Sequence, residues 1–303
     1  MTTPPPPPRT PPHSTLLGLH HVTAFAKDPT RCRAFYTEVL GLRLVKTTVN
    51  FDDPYVHHLY FGDREGTPGT LLTHFPHPHA KAGVHGAPEI ATTLLRVADV
   101  GAWEDRLRGR GVETSRLAVF GEERVRFADH DTMGFALVGG GAGEGITGVA
   151  GVEVRAPGRD EMVGFLVETL GFEEVSREGE RVRLSVGGDI GDSVIEVVRT
   201  EAGASNFGAG IVHHVAWRVA DLGVQAAVVE RMRGAGVGTT EVKDRDYFKS
   251  VYARVPGGVV FEFATDGPGF AVDEPVESLG ERLCLPAMYE GRRAEIEAAL
   301  PAV

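Results

Sequence analysis

The stretch LHHVTAFAKD at residues 19–28 returns, altered but alignable, as VHHVAWRVAD at residues 212–221. Each copy opens on an apolar residue and a histidine pair, alternates small, β-branched and aromatic residues, and closes on aspartate. That alternation predicts a half-buried strand. A helix-like segment follows each copy, TRCRAFYTEVLGL after the first and QAAVVERMRGAGV after the second. Short strand-like runs with glycine turns come next, VHHLYFGD and GTLLTHFP in one case and SVYARVPGGVVFEFA in the other.

Two further copies of this order lie between them. One runs ATTLLRVADV, AWEDRLRGRGV, VRFADHDTMGFALVG, and the other VAGVEVRAP, DEMVGFLVETLGF, RVRLSVGG, SVIEVVR. The chain therefore reads as four weak repeats of strand, helix and two or three strands. The first helix carries Phe35, Val39 and Leu42 at helical spacing, and glycine closes each helix at Gly41, Gly111, Gly171 and Gly236. One such unit buries a single sheet face. Two curled together make a cup with helices outside and a cleft inside. The expected class is α+β. Residues 1–15 read as a disordered, proline-rich tail, 16–143 as a first pair of modules, 144–265 as a second pair, and 266–303 as a C-terminal segment packing near the site. GGGAGEG at residues 139–145 lacks the strand-to-helix setting of a nucleotide loop and reads as the hinge between the halves.

Composition narrows the function. The chain has 303 residues, 42% hydrophobic and 24% charged, as in ordinary globular proteins. Its net charge of -11 argues against nucleic acid as a partner. No apolar run approaches the roughly 20 residues that span a bilayer, so no membrane role is expected. The N-terminus MTTPPPPPRTPPHST lacks the apolar core of a secretory signal. Only Cys32 and Cys284 occur, which fits a reducing, cytoplasmic location and two small buried residues rather than a disulfide. A homo-oligomer is left open. No catalytic serine elbow or nucleophilic cysteine motif is visible.

The histidine pairs suggest a metal. Strand parity sets Val215, Trp217 and Val219 on one face of the later copy and His214, Ala216 and Arg218 on the other. In the earlier copy His21 shares its face with Thr23 and Phe25. The second histidine of each pair should therefore face the cleft. Glu262, between Phe261 and Phe263 in a strand-like run, is a carboxylate that needs a partner if buried. Two imidazoles and one carboxylate form the facial triad of non-haem Fe(II) oxygenases. The metal expectation is thus His21, His214 and Glu262 around Fe(II), with Mn(II) or Zn(II) as substitutes.

The segments GLHHVT, YVHHLYFGDREGTPGTLLTHFP, DRDYFKSVYARVPGGVVFEFATDGPGF and LPAMYEGRRAEIEAALP resemble the vicinal oxygen chelate superfamily, which includes glyoxalase I, bleomycin resistance proteins and extradiol dioxygenases. The four-module length is similar to the dioxygenase branch, and within it to hydroquinone-type ring-cleaving enzymes. The resemblance spans nearly the whole chain beyond the proline tail. It implies two cup-shaped half-barrels, with modules one and four paired around the metal, and the same two metal-binding histidines. It also implies that His20, His213, Arg245 and Tyr252 surround the substrate. An imidazole there would take and return a hydroxyl proton, a guanidinium would stabilise a phenolate, and a phenol would orient a ring oxygen. The competing reading of Arg245 is a surface ion pair with Asp244 or Asp246. Aligning modules one and four sets Thr73 opposite Glu262, where glyoxalase-type members carry a fourth ligand. Of His57 and His58, one is expected to face the cleft. His74, His77, His79 and His85 read as solvated loop histidines. The expected activity is Fe(II)-dependent, extradiol-type cleavage of a small hydroquinone-like aromatic by O2. The alternatives are a glyoxalase-like lyase or isomerase and a protein that sequesters aromatic drugs or quinones.

Overall fold

The computed structural model describes residues 15–187 and 193–303. The proline-rich tail, but for Thr15, lies outside the described residues. Four modules follow one another. The first comprises β1 (Leu16–Ala26), α1 (Pro29–Ala34), β2 (Arg43–Asn50), β3 (Asp53–Gly62) and β4 (Leu71–Pro76). The second comprises β5 (Glu89–Arg96), α2 (Val100–Gly109), β6 (Ser115–Val119), β7 (Glu122–Ala128) and β8 (Gly134–Val138). The third comprises β9 (Gly148–Arg155), α3 (Arg159–Leu170), β10 (Glu173–Glu178), β11 (Arg181–Val186) and β12 (Ser193–Val198). The fourth comprises β13 (Val212–Val219), α4 (Leu222–Gly234), β14 (Lys243–Asp244), β15 (Lys249–Arg254) and β16 (Val260–Thr265).

Local chemistry explains the recurring strand-to-helix joint. Asp28, Asp99 and Asp221 each leave a strand and cap the next helix, accepting from Arg31 N, Ala102 N and Val224 N. Each such cap is worth about 1 kcal/mol. At the other end Gly41, Gly111, Gly171 and Gly236 all adopt positive φ, from 72° to 77°, which a side chain would resist. The first helix departs from the spacing its sequence suggests. It widens into a π-turn at Phe35–Val39, with Leu40 N bonding Phe35 O. That rotation buries Tyr36 fully and leaves Phe35 and Val39 only partly covered.

The strands form two curled eight-stranded sheets. The first has the order β14-β15-β16-β13-β1-β4-β3-β2 and joins modules one and four. The second has the order β10-β11-β12-β9-β5-β8-β7-β6 and joins modules two and three. The cups therefore cut across the sequence halves. The glycine run 139–145 joins β8 to β9 within one cup. The crossings between cups are residues 77–88 and 199–211, which pair with each other at Ala82–Ala209, Val84–Asn206 and Ala87–Ala204. One continuous apolar core links the two sheets, with Val22, Trp217 and Phe261 from the first and Phe135, Val152 and Leu184 from the second.

The chain after β16 runs back over module one. Leu283 bridges Thr47, Cys284 N bonds Thr47 O at 2.9 Å, and this covers the edge of β2. Lys46, wholly buried on β2, reaches Asp273 at 2.5 Å and Glu274, and so ties the segment down. A short helix, α5 (Arg293–Ala299), follows, and His57 bonds Pro301 O at 2.9 Å. Cys32 and Cys284 are free and buried. Among the described residues, no helix is long and apolar enough to cross a membrane.

Candidate metal centre

The central pair of strands in the first cup, β1 and β13, is antiparallel and related by an internal two-fold. His21 pairs with Ala216 and Thr23 with His214, so the two histidines are equivalent. Each strand carries one extra residue at this place. The register slips between Leu19 and His21 on β1, which leaves His20 unpaired, and between Thr23 and Ala24, which leaves His213 unpaired on β13. A β-bulge of this kind turns two successive side chains toward the same region. The motif HH is therefore a bulge followed by an inward residue, twice.

The inward atoms converge. His21 Nε2 lies 3.2 Å from His214 Nε2 and 3.2 Å from Glu262 Oε2, and His214 Nε2 lies 2.8 Å from Glu262 Oε2. All three residues are buried, Glu262 completely. Although Oε2 is this close to both rings, it makes no properly directed hydrogen bond. Ligands about 2.0–2.2 Å from a shared ion, at right angles to one another, would stand about 3 Å apart. The donor set and its spacing fit a divalent metal. Burial alone would raise the Glu262 carboxyl, but His21 and His214 outweigh it and hold the group well below the usual carboxylate range.

The neighbours organise these donors. His20 Nδ1 stands 2.9 Å from His21 Nδ1, and His213 Nδ1 stands 2.7 Å from His214 Nδ1. Engaging Nδ1 fixes each ring and leaves Nε2 available to a metal. Ser250 donates to Glu262 Oε1, which leaves Oε2 for the two imidazoles. Burial, with His21 beside it, pushes His20 down to about 3, and burial with His214 does the same for His213. Both are neutral near pH 7.

A cavity of about 330 Å³ opens above the triad. Arg245 and Tyr252 line it on the module-four side, His58, Tyr60 and Phe75 on the module-one side. His213 also lines it, whereas His20 lies behind His21 against Phe248, ring centroids 4.9 Å apart, and is not part of the wall. Arg245 Nε donates to Tyr252 Oη at 3.2 Å, and its Nη2 lies 3.4 Å from Asp52, which stands across the cavity mouth. Asp244 pairs instead with Lys249, and Asp246 takes a positive φ of 62° with its N–H bonded to Asp244 Oδ1. This tight turn aims Arg245 inward. Burial would lower the guanidinium, but Tyr252 and Asp52 outweigh it, so it stays cationic. Burial and the nearby Glu262 raise the Tyr252 phenol, so it stays protonated.

Thr73 occupies the position related to Glu262, since Thr23 pairs with Thr73 as Ala216 pairs with Glu262. Its hydroxyl is taken by Thr23 at 2.8 Å and His58 at 2.9 Å. Of the remaining histidines, His57 faces the C-terminal segment. His74 is not a solvated loop residue: it lies inside the strand-like run GTLLTHFP, which forms β4, and is buried against Tyr36, ring centroids 4.2 Å apart. His85 pairs with Glu89 at 2.6 Å. Ser250 and Tyr60 carried no role in the sequence reading. Their signal was parity, since each shares a face with a residue already singled out, Tyr252 and His58 respectively. A second cluster of potential ligands, Asp273, Glu274 and Cys284, surrounds the Lys46 ammonium and is an ion pair.

The second cup repeats the framework without the imidazoles. Thr92 and Gly151 occupy the registers of His21 and His214, while Glu196 stands where Glu262 does. A Cβ on Gly151 would fall 2.0 Å from Val194 O, so no side chain fits there. Arg124 meets both Glu196 oxygens, at 2.6 and 3.0 Å, and Arg183 joins them.

Residues 18–136 and 148–263 match the family model for the Glyoxalase/Bleomycin resistance protein/Dioxygenase superfamily. Among curated proteins, the chain is 41% identical over 300 residues to "Putative ring-cleaving dioxygenase MhqO" of Bacillus subtilis, covering 94% of this chain and 96% of that one. It is 33% identical over 303 residues to "Chlorohydroquinone/hydroquinone 1,2-dioxygenase" of Sphingobium indicum, covering 92% and 94%. Among solved structures, a "putative dioxygenase" from Bacillus subtilis superposes with a TM-score of 0.91 at 39% identity, covering 95% of this chain and 97% of that one.

Proposed function

The chain belongs to the Glyoxalase/Bleomycin resistance protein/Dioxygenase superfamily, and from that membership we propose that it is a ring-cleaving dioxygenase acting on hydroquinone-type aromatics with O2. The proposed metal is Fe(II), held by His21, His214 and Glu262, with Mn(II) or Zn(II) as substitutes. The observation that carries the reading is the triad itself, three protein donors at the floor of an aromatic-walled cavity. Thr73 is engaged elsewhere, so among the described residues no fourth protein ligand joins the triad. That arrangement favours O2 chemistry over glyoxalase-type isomerisation, and the names of the similar proteins point the same way. We place the protein in the cytoplasm and expect neither nucleic acid nor membrane as partner.

When bound, the metal supplies a Lewis-acidic, redox-active centre with open positions for two reactants. The remaining work falls to the chain. His213, neutral and on the cavity wall, takes the His214 Nδ1–H at its own Nδ1 and so presents Nε2–H to the oxygen of the incoming hydroxyl as it becomes a phenolate. Arg245 offsets the negative charge of the resulting phenolate. Tyr252, kept protonated, donates a hydrogen bond to a substrate oxygen. His20 acts through His21 by fixing its ring. Phe75 and Phe248 exclude water and hold the ring of the substrate flat between the walls. The direct test is oxygen uptake with hydroquinone by protein loaded with Fe(II) under anaerobic conditions. Stoichiometric uptake with a ring-opened product is expected. No uptake by fully loaded protein, or formation of benzoquinone without ring opening, overturns the reading.

A further inference from the structure

The internal two-fold of the first cup relates Tyr252 to Tyr60. Tyr252 pairs with Glu262 on β16, and Tyr60 pairs with Thr73 on β4. Both strands that carry them stand second from an edge of the sheet, at opposite ends of its order. The sheet curls until these ends meet, and the Tyr60 ring comes within 6.4 Å of Phe248 and 6.3 Å of Tyr247. The cavity therefore lies between two walls of similar design. One presents Tyr252 with Arg245. The other presents Tyr60 with His58.

The second wall is hydrogen-bonded in a line. Thr23 meets Thr73, Thr73 meets His58 Nε2 at 2.9 Å, and His58 Nδ1 meets the Tyr60 hydroxyl at 2.9 Å. All four are buried. A neutral imidazole has one donor and one acceptor nitrogen, and both are used here. A hydroxyl has three hydrogen-bond positions, so Tyr60 keeps capacity beyond its bond to His58. Burial and the nearby Tyr252 raise its phenol well above the ordinary value, so it stays protonated. A protonated hydroxyl lining the same cavity as the triad, on the wall across from Arg245 and Tyr252, is available to a second substrate oxygen.

We propose that Tyr60, positioned by His58, binds the second oxygen of a 1,4-dihydroxybenzene and so selects hydroquinones over catechols at this site. In a para diol the two oxygens lie at opposite ends of the ring, one for each wall. In an ortho diol both lie on the metal side and the Tyr60 wall gains nothing. This inference rests on the proposed dioxygenase reading, and it adds the residue that sets the substrate class.

The test compares hydroquinone with 4-methylphenol, which replaces the second hydroxyl by a methyl group of similar size. Binding of each is measured anaerobically to Fe(II)-loaded protein, wild type and Tyr60→Phe. The wild type is expected to prefer hydroquinone by about tenfold or more, the scale of one well-placed hydrogen bond. Tyr60→Phe is expected to erase that preference while leaving 4-methylphenol unchanged, and to narrow the kcat/KM ratio of hydroquinone over catechol by the same factor. His58→Gln, which keeps a polar group near Thr73 but loosens Tyr60, should fall between. A preference that survives in Tyr60→Phe, or equal weakening of both ligands, overturns the inference while leaving the dioxygenase reading intact. A loaded wild type that neither binds nor consumes hydroquinone overturns both.

Discussion

Replacing Ser250 by alanine tests how the carboxylate of the triad is held. Ser250 and Glu262 are both fully buried, and the serine hydroxyl is the group that meets Oε1. Removing it strands one oxygen of an ionised carboxylate, and a hydrogen bond to a charged group is worth about 1.5–3 kcal/mol. The loss divides between two states. The metal-free protein loses some folding stability, because its carboxylate is already ionised by the two imidazoles. The loaded protein also loses the fixed orientation of the ligand. Partners that orient metal ligands contribute about 10–100-fold in affinity, or about 1.4–2.7 kcal/mol, which overlaps the range set by the hydrogen bond alone. Anaerobic calorimetric titration with Fe(II) or Mn(II) reads the dissociation constant, and thermal melts with and without metal read the division. A dissociation constant within twofold of wild type, in a variant with native circular dichroism, would refute the orienting role of Ser250.

Three further outcomes follow from other parts of the molecule. Lys46→Met removes the cation between buried Glu274 and partly exposed Asp273, and should cost about 3–5 kcal/mol in denaturant unfolding; an unchanged midpoint would mean the C-terminal segment is held elsewhere. In the second cup, burial opposes ionisation of Glu196 but Arg124 and Arg183 outweigh it, so its folded pKa lies below the ordinary value. Its stabilisation is present above the unfolded pKa of about 4.3 and is lost as pH falls through the folded pKa. Glu196→Gln should therefore lower the melting temperature at pH 7 and flatten the acid-side decline; equal shifts at pH 7 and about pH 2 would contradict this assignment. Truncation after Gly280 removes the cover of β2 and the bond from Tyr289 to Phe51 O, whose residue lines the cavity mouth. KM should rise more than kcat falls, and unchanged constants in a folded, metal-loaded protein would show that the segment does not shape the mouth.

Periodicity carried the architecture well. The four helix-ending glycines and the alternating strands are local properties, and the backbone obeys them. The pairing of modules one with four was legible because a histidine pair on the opening strand occurs only in those two copies. What escaped is non-local or sub-residue. The bulges that bring His20 and His213 beside their neighbours depend on register between strands nearly 200 residues apart. Tyr36 is buried because a helix widens by one residue, which no apolar spacing announces. The placement of His58 over His57 needed the extent of β3. Tyr60 and Ser250 gained their roles only when the two walls of the cup were brought face to face.

The retained carboxylate of the second cup has a consequence for how the protein responds to its surroundings. Glu262 and Glu196 create the same demand for positive charge at the same place in two halves of one architecture. One demand is met by three arginines that are part of the chain and are present whenever the chain exists. The other, in the proposed reading, is met by an ion that must be supplied. A chelator can then reach only one half of the molecule. Metal starvation should slacken the catalytic cup while its twin stays braced, so that an emptied protein keeps a folded platform on which the site can be refilled.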